Sequence, residues 1–279
     1  RQLIEFLNLL TDFKPFEFAV FKLRQWYERY KVPKLLSWAV HKDVVVLAPL
    51  PNWSIETVVS RLAFTISVFL LNVYTYLFTA EGRSGVDHRI LEEFGFSYQE
   101  FISHKWFVLF TSNFLHFDMF QLVSNMIMLL LFCGSLEVIA GRRVAAISFL
   151  VGMQANVPNG LFVLPVLRVF DVTLFTKVVS YVDVGASLGI MSCAGGLAFF
   201  LKPFLRSALF LIVTAVTVVI TFQGQLIGLD HAFAFVFGYI TSGLIANSNV
   251  DQSPFEKPHY NYFEPKQSEA KRDSSEWAA

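Results

Sequence analysis

Six stretches of this chain, residues 62–80, 119–136, 144–167, 184–201, 207–229 and 232–250, are almost free of charge. Crossing roughly 30 Å of hydrocarbon takes about 17–25 apolar residues, so each is long enough to span a bilayer. In lipid every backbone N–H and C=O must be paired inside the segment, which leaves helices or closed barrels as the spanning structures. Runs of this length without alternation read as helices. The expected fold class is therefore an all-α polytopic membrane protein with a bundle of six transmembrane helices. Composition agrees: 54% of the 279 residues are hydrophobic and 16% charged, where soluble domains carry about a quarter charged residues.

The third run is interrupted. Asn156, Pro158, Asn159, Gly160 and Pro165 fall in its second half, predicting a helix over 142–154 followed by a loop or re-entrant piece. Ahead of the membrane domain, assigned to residues 57–250, residues 1–56 mix Phe and Leu with Lys14, Lys22, Arg24, Arg29, Lys31 and Lys34, a pattern suited to amphipathic interfacial helices. Residues 251–279 form a polar tail. Removal of an organellar presequence, or a trimmed chain, would each account for Arg1 at the start.

With 22 basic and 22 acidic residues, no net field attracts nucleic acid, and none is expected as a partner. Membrane lipids are. Cys133 and Cys193 sit inside apolar runs and read as packing residues. No His, Cys, Asp and Glu cluster has ligand spacing, so neither metal nor other cofactor is expected. His88, His104 and His259 lie in polar segments and read as solvent-facing. Basic residues in the N-terminal region, at Arg142-Arg143 and at Lys202/Arg206 place those segments on one side of the membrane, and the acid-rich segment 81–105 with the turn carrying Asp230 on the other.

Four polar residues fall near that second side. His116 and Asn125 flank the start of span two, Ser187 starts span four and His231 opens span six. Small residues surround the serine (Gly185, Ala186) and continue at Ala194 and Gly195. From His231, Ala234 and Gly238 form a second small stripe, so the two helices could approach closely enough for a hydroxyl to meet an imidazole.

These residues, with His116-Phe117 through Asn125, the turn Gly134…Glu137…Gly141, Gly185-Ala186-Ser187-Leu188, and His231 with Ala234 and Gly238, resemble the motifs of the rhomboid family of intramembrane serine proteases in order and placement, from His104 to Ser248. The resemblance implies a six-helix rhomboid-like bundle in which Ser187 is the nucleophile and His231 its general base. Asn125, with the Ser187 amide and Gln121 where the family commonly has His, would stabilise the oxyanion. His116, Glu137, Gly141, Gly185 and Gly238 would be structural, Glu137 as an acceptor of loop hydrogen bonds. The implied partner is a transmembrane protein substrate. Leu188 replaces the motif's second glycine and is expected to crowd an incoming peptide. Met191 stands where many members have an aromatic residue, and Trp106-Phe107 where they have Trp-Arg. These departures keep open a second reading, a rhomboid-like accessory subunit of a larger membrane complex, a mitochondrial one among them, without proteolytic activity. The long linker from Gly141 to Ser187 could cap the site or bind a neighbour.

Overall fold

The computed structural model describes residues 61–80, 85–222 and 226–247. Segments 1–56 and 251–279, and the end of the sixth predicted span, lie outside the described residues. Among these residues the chain is helical, with two isolated bridges, Ala80 to Val86 and Phe96 to Asp183, and no extended strand. Three helices are long and apolar enough to cross a membrane: α5 (Met119–Ala140), α6 (Arg142–Phe170) and α10, apolar over Ile227–Ala246. Three shorter apolar helices accompany them: α1 (Ala63–Thr79), α8 (Ser187–Phe200) and α9 (Pro203–Phe222). Between α1 and α5 lie the short helices α2 (His88–Phe94), α3 (Tyr98–Ile102) and α4 (Val108–Thr111), and between α6 and α8 lies α7 (Val172–Val179). The result is an all-α membrane bundle.

Each helix end solves the problem of its orphan backbone groups differently. Asp118 caps α5, accepting from Gln121 N at 2.7 Å, and Asp171 caps α7 through Leu174 N at 2.9 Å. The first turn of α1 has no cap of its own. Glu137 reaches it from the far end of α5, accepting from Phe64 N at 3.0 Å, Thr65 N at 2.9 Å and Thr65 Oγ1 at 2.8 Å, with Arg142 Nε 3.7 Å from the same carboxylate. At the C-terminal end of α8, Arg206 donates to the carbonyls of Ala198, Phe199 and Leu201 and lies over the Tyr239 ring, where the helix dipole favours a cation.

Helix α6 begins as expected, and where a loop or re-entrant piece is expected after residue 154 it has helix. After a turn the chain resumes as helix at Asn156–Pro158, passes through a wide turn over Asn159–Val163 and continues as α-helix over Leu164–Phe170. Pro158 falls in the first turn of the segment resumed at Asn156, where its missing N–H has no partner to lose, and Pro165 comes just past the wide turn. The linker then packs onto the loop helices, with Leu164, Val178 and Phe175 against Phe96, Tyr98 and Val108.

Helix α8 is the hub. All its residues except Ser187, Met191 and Phe199 are buried. Its 14 residues span about 21 Å, against about 33 Å for the 22 of α5; enclosed by other helices, it need not match the bilayer. Outward faces carry exposed apolar side chains such as Leu77, Phe78, Leu211 and Ile212, which lipid would cover.

Candidate functional site

The site begins with a close helix crossing. A Cβ on Gly195 would strike the Phe235 backbone, and one on Gly238 the Ser192 backbone, so these glycines set the separation of α8 and α10. Leu188 packs with Ala234, Gly238 meets Ser192 and Gly196 meets Ser242. The sequence separation is the same in all three pairs, so the helices run parallel. Ser187, the first residue of α8, and His231, in the second turn of α10, therefore lie at the same end of two touching helices.

The helix carrying His231 starts earlier than expected. It begins at Ile227, which puts Asp230 inside the first turn of a helix instead of in a connecting turn; an acid there is favoured by the helix dipole. The early start also supplies the imidazole with a partner. His231 Nδ1 lies 2.6 Å from the Ile227 carbonyl, which can only accept, so Nδ1 carries the proton and Nε2 keeps its lone pair. No hydrogen bond joins Ser187 to His231 among the described residues. The serine side chain is half-buried.

The approach to Ser187 is held extended. Phe96 and Asp183 exchange backbone hydrogen bonds at 3.0 and 2.7 Å, and Gly185 N donates to Ser112 O at 2.9 Å. Gly185 has φ +128°, a region that favours glycine. A side chain there would also meet Asn125 Nδ2 at 3.0 Å and Gln121 Nε2 at 3.1 Å. The two amides serve different ends. Gln121 accepts from Phe117 N and donates to Val184 O, both at 2.7 Å, latching α5 to this strand-like segment. Asn125 Nδ2 is buried with no acceptor among the described residues. Asn125 lies about 9 Å below the first residue of α5, so this unused donor sits well inside the bundle, facing Gly185, which precedes the serine by two residues. The first backbone N–H groups of α8 are the other donors at this end.

His116 is fully buried, and among the described residues neither ring nitrogen has a hydrogen-bond partner. Desolvation lowers its pKa to about 4, opposed by the nearby Phe114 backbone and by Asp118. Because the folded pKa lies below the unfolded value near 6.5, the stability tied to the neutral ring is complete above pH 6.5 and is lost as pH falls from there through 4. The loss amounts to about 3 kcal/mol. Thermal unfolding of the purified protein should shift down over that interval, and His116→Phe should flatten that limb; an unchanged limb would rule this ring out as the group that titrates.

Leu188 does not line the approach to the serine. It is 2% exposed and packs with Ala155 and Ala234 between α6 and α10. The expected crowding of substrate is thus replaced by a packing role, since the second residue of the helix turns its side chain into the bundle. Leu188→Gly is expected to destabilise the fold by about 2–5 kcal/mol through the cavity left and to raise no activity. An unaltered melting temperature, or a gain in turnover, would contradict this.

Residues the sequence reading passed over also converge here. Asp230 is buried and accepts from Asn159 Nδ2 at 2.6 Å and Tyr98 Oη at 3.0 Å. Gln154 Nε2, next to Ala155, is a second buried donor without an acceptor. The signal available for Asp230 was an acid beside a histidine in an apolar run, since an ionisable group at that depth is costly unless it has a task.

Among the described residues no group of His, Cys, Asp and Glu could hold a metal. Cys133 and Cys193 are buried free thiols. Comparison with curated proteins and with solved structures gives no match. The family model for the rhomboid domain matches residues 103–248, more than half of the chain and the whole stretch from the loop before α4 to the end of α10. With an all-α membrane bundle beneath it, that match makes the chain a member of the rhomboid family.

Proposed function

We propose that this protein is an intramembrane serine endopeptidase that cleaves transmembrane segments of other proteins with a Ser187–His231 dyad. The observation that carries the reading is the buried, unused amide donor of Asn125 set against the Gly185 backbone. A buried donor without an acceptor costs about 1–3 kcal/mol, and a site that supplies an oxyanion in the transition state recovers that cost when it matters. His231 Nε2 would take the proton of Ser187 Oγ as the oxygen attacks the scissile carbonyl carbon. The resulting oxyanion would accept from Asn125 Nδ2 and from the Ser187 N–H. Collapse of the intermediate would break the C–N bond, with the imidazolium returning its proton to the leaving amine. Water, activated by the same imidazole, would then release the acyl group. Among the described residues no acid bonds the imidazole directly; the Ile227 carbonyl holds the tautomer instead. The domain plan that accompanies this reading is a membrane domain over residues 57–250 flanked by an interfacial segment and a polar tail.

One observation favours a second reading. Ser187 and His231 share no hydrogen bond, as a rhomboid-like accessory subunit without hydrolytic activity would allow. Treatment of the purified protein with a fluorophosphonate separates the two. Covalent labelling on Ser187 is expected; absence of labelling, with no cleavage of a transmembrane test substrate, would leave the accessory reading standing.

A further inference from the structure

Asp230 directly precedes the proposed base and is 3% exposed. Its carboxylate gathers donors from two other parts of the chain. Tyr98 Oη, on loop helix α3, lies 3.0 and 3.3 Å from the two oxygens. Asn159 Nδ2, in the wide turn of α6, lies 2.6 Å from Oδ1. The Asn156 amide, with its nitrogen turned toward the acid, donates at 3.3 and 3.2 Å. All three partners are themselves buried. Burial and the adjacent Asp230 raise the Tyr98 pKa well above the ordinary range, so the phenol stays a donor. Among the described residues no Lys, Arg or His forms an ion pair with Asp230, and the other charge acting on Tyr98 is Asp183, also an acid.

This arrangement is expensive as simple packing, because a buried acid with no cation is matched or bettered by an apolar side chain of similar volume. It does accomplish one thing that apolar packing there would not. The glycine crossing that clamps α10 to α8 lies at Phe235 and Gly238, beyond the first turn. The turn containing Ile227, Asp230 and His231 is held laterally by the Asp230 network, and Ile227 supplies the carbonyl that sets the imidazole. We infer that Asp230 is a positioning residue: with Tyr98, Asn156 and Asn159 it ties the first turn of α10 to the loop and to the break in α6, and so sets where His231 stands relative to Ser187. The inference rests on the proposed dyad.

The test uses the full chain in detergent with three variants, Asp230→Asn, Asn159→Asp and the double exchange, which restores one carboxylate and one amide facing each other. The readouts are fluorophosphonate inactivation, split into its maximal rate and its concentration dependence, and the ¹⁵N shifts of His231, assigned by their loss in His231→Gln. Asp230→Asn should lower the maximal inactivation rate by about tenfold to a hundredfold, the size of effect that a displaced catalytic group produces, with the half-saturating probe concentration unchanged. The His231 shifts should move away from the protonated-Nδ1 pattern, and the double exchange should recover both. If Asp230→Asn does not fold, Tyr98→Phe, which removes one hydroxyl, should show the same changes at smaller amplitude. An unchanged maximal rate and unmoved His231 shifts in these variants would overturn the inference and leave a purely structural role. If the wild type does not react at all, the dyad fails, and the His231 shifts still decide whether Asp230 holds the ring.

Discussion

Ser187→Ala should abolish fluorophosphonate labelling and reduce cleavage of a transmembrane test substrate by at least about ten thousandfold, and His231→Ala should cost as much. The reason is the division of labour at the ends of α8 and α10. Alanine removes the only oxygen that can attack from the start of α8, and no neighbouring hydroxyl replaces it, because Ser192 is a turn further on and donates to Ser148 O at 2.6 Å. In the proposed dyad, removing His231 leaves the serine hydroxyl without its base. Nucleophile and base act as a unit, so the double variant should be no worse than either single one. Asn125→Ala should cost about a hundredfold to a thousandfold, the usual range for one oxyanion donor, with the serine still reactive toward the probe. Retention of cleavage in Ser187→Ala would exclude the dyad outright. Equal, low labelling of wild type and Ser187→Ala would favour the accessory subunit.

Glu137→Ala should unfold the bundle at far lower temperature than the wild type, through a loss of about 3 kcal/mol or more, since each buried donor left without its acceptor costs about 1–3 kcal/mol. Its carboxylate is 1% exposed and is the acceptor for two backbone N–H groups of α1 and for the Thr65 hydroxyl. Alanine leaves these donors where neither protein nor water replaces the acceptor, and in lipid that deficit is not forgiven. Arg142 Nε also loses the carboxylate oxygen that lies 3.7 Å from it. Glu137→Gln keeps one carbonyl oxygen and should lie between the two. Thermal unfolding followed by helical circular dichroism in detergent provides the comparison. A melting temperature within a degree or two of wild type for Glu137→Ala would mean that α1 is held by packing alone.

Much of this was legible in the chain as written. Long uncharged runs report a membrane bundle because lipid leaves the backbone no alternative to helix. Small residues at helical spacing marked the faces of α8 and α10 that meet, and the motifs from His116 to Gly238 pointed to the family. These are local signals, carried by residue type and interval. In the third span the prolines predict a loop or re-entrant piece after residue 154, and the structure has helix there after a turn, with Pro158 in the first turn of the resumed segment and Pro165 just past the wide turn.

What the tertiary structure decided is which partner each polar group finds, since that depends on chain distant in sequence. Gln121 became a latch because Val184 lies within reach, and Asn125 Nδ2, one turn on, has no acceptor among the described residues. Leu188 turned from a suspected obstruction into packing against Ala155 and Ala234. Asp230 ceased to be a surface charge once Tyr98 and Asn159 closed on it. Residue type and spacing dictated that this chain would be helical and membrane-embedded; hydrogen-bond partnership across the bundle, which has no local code, decided what its polar residues can do.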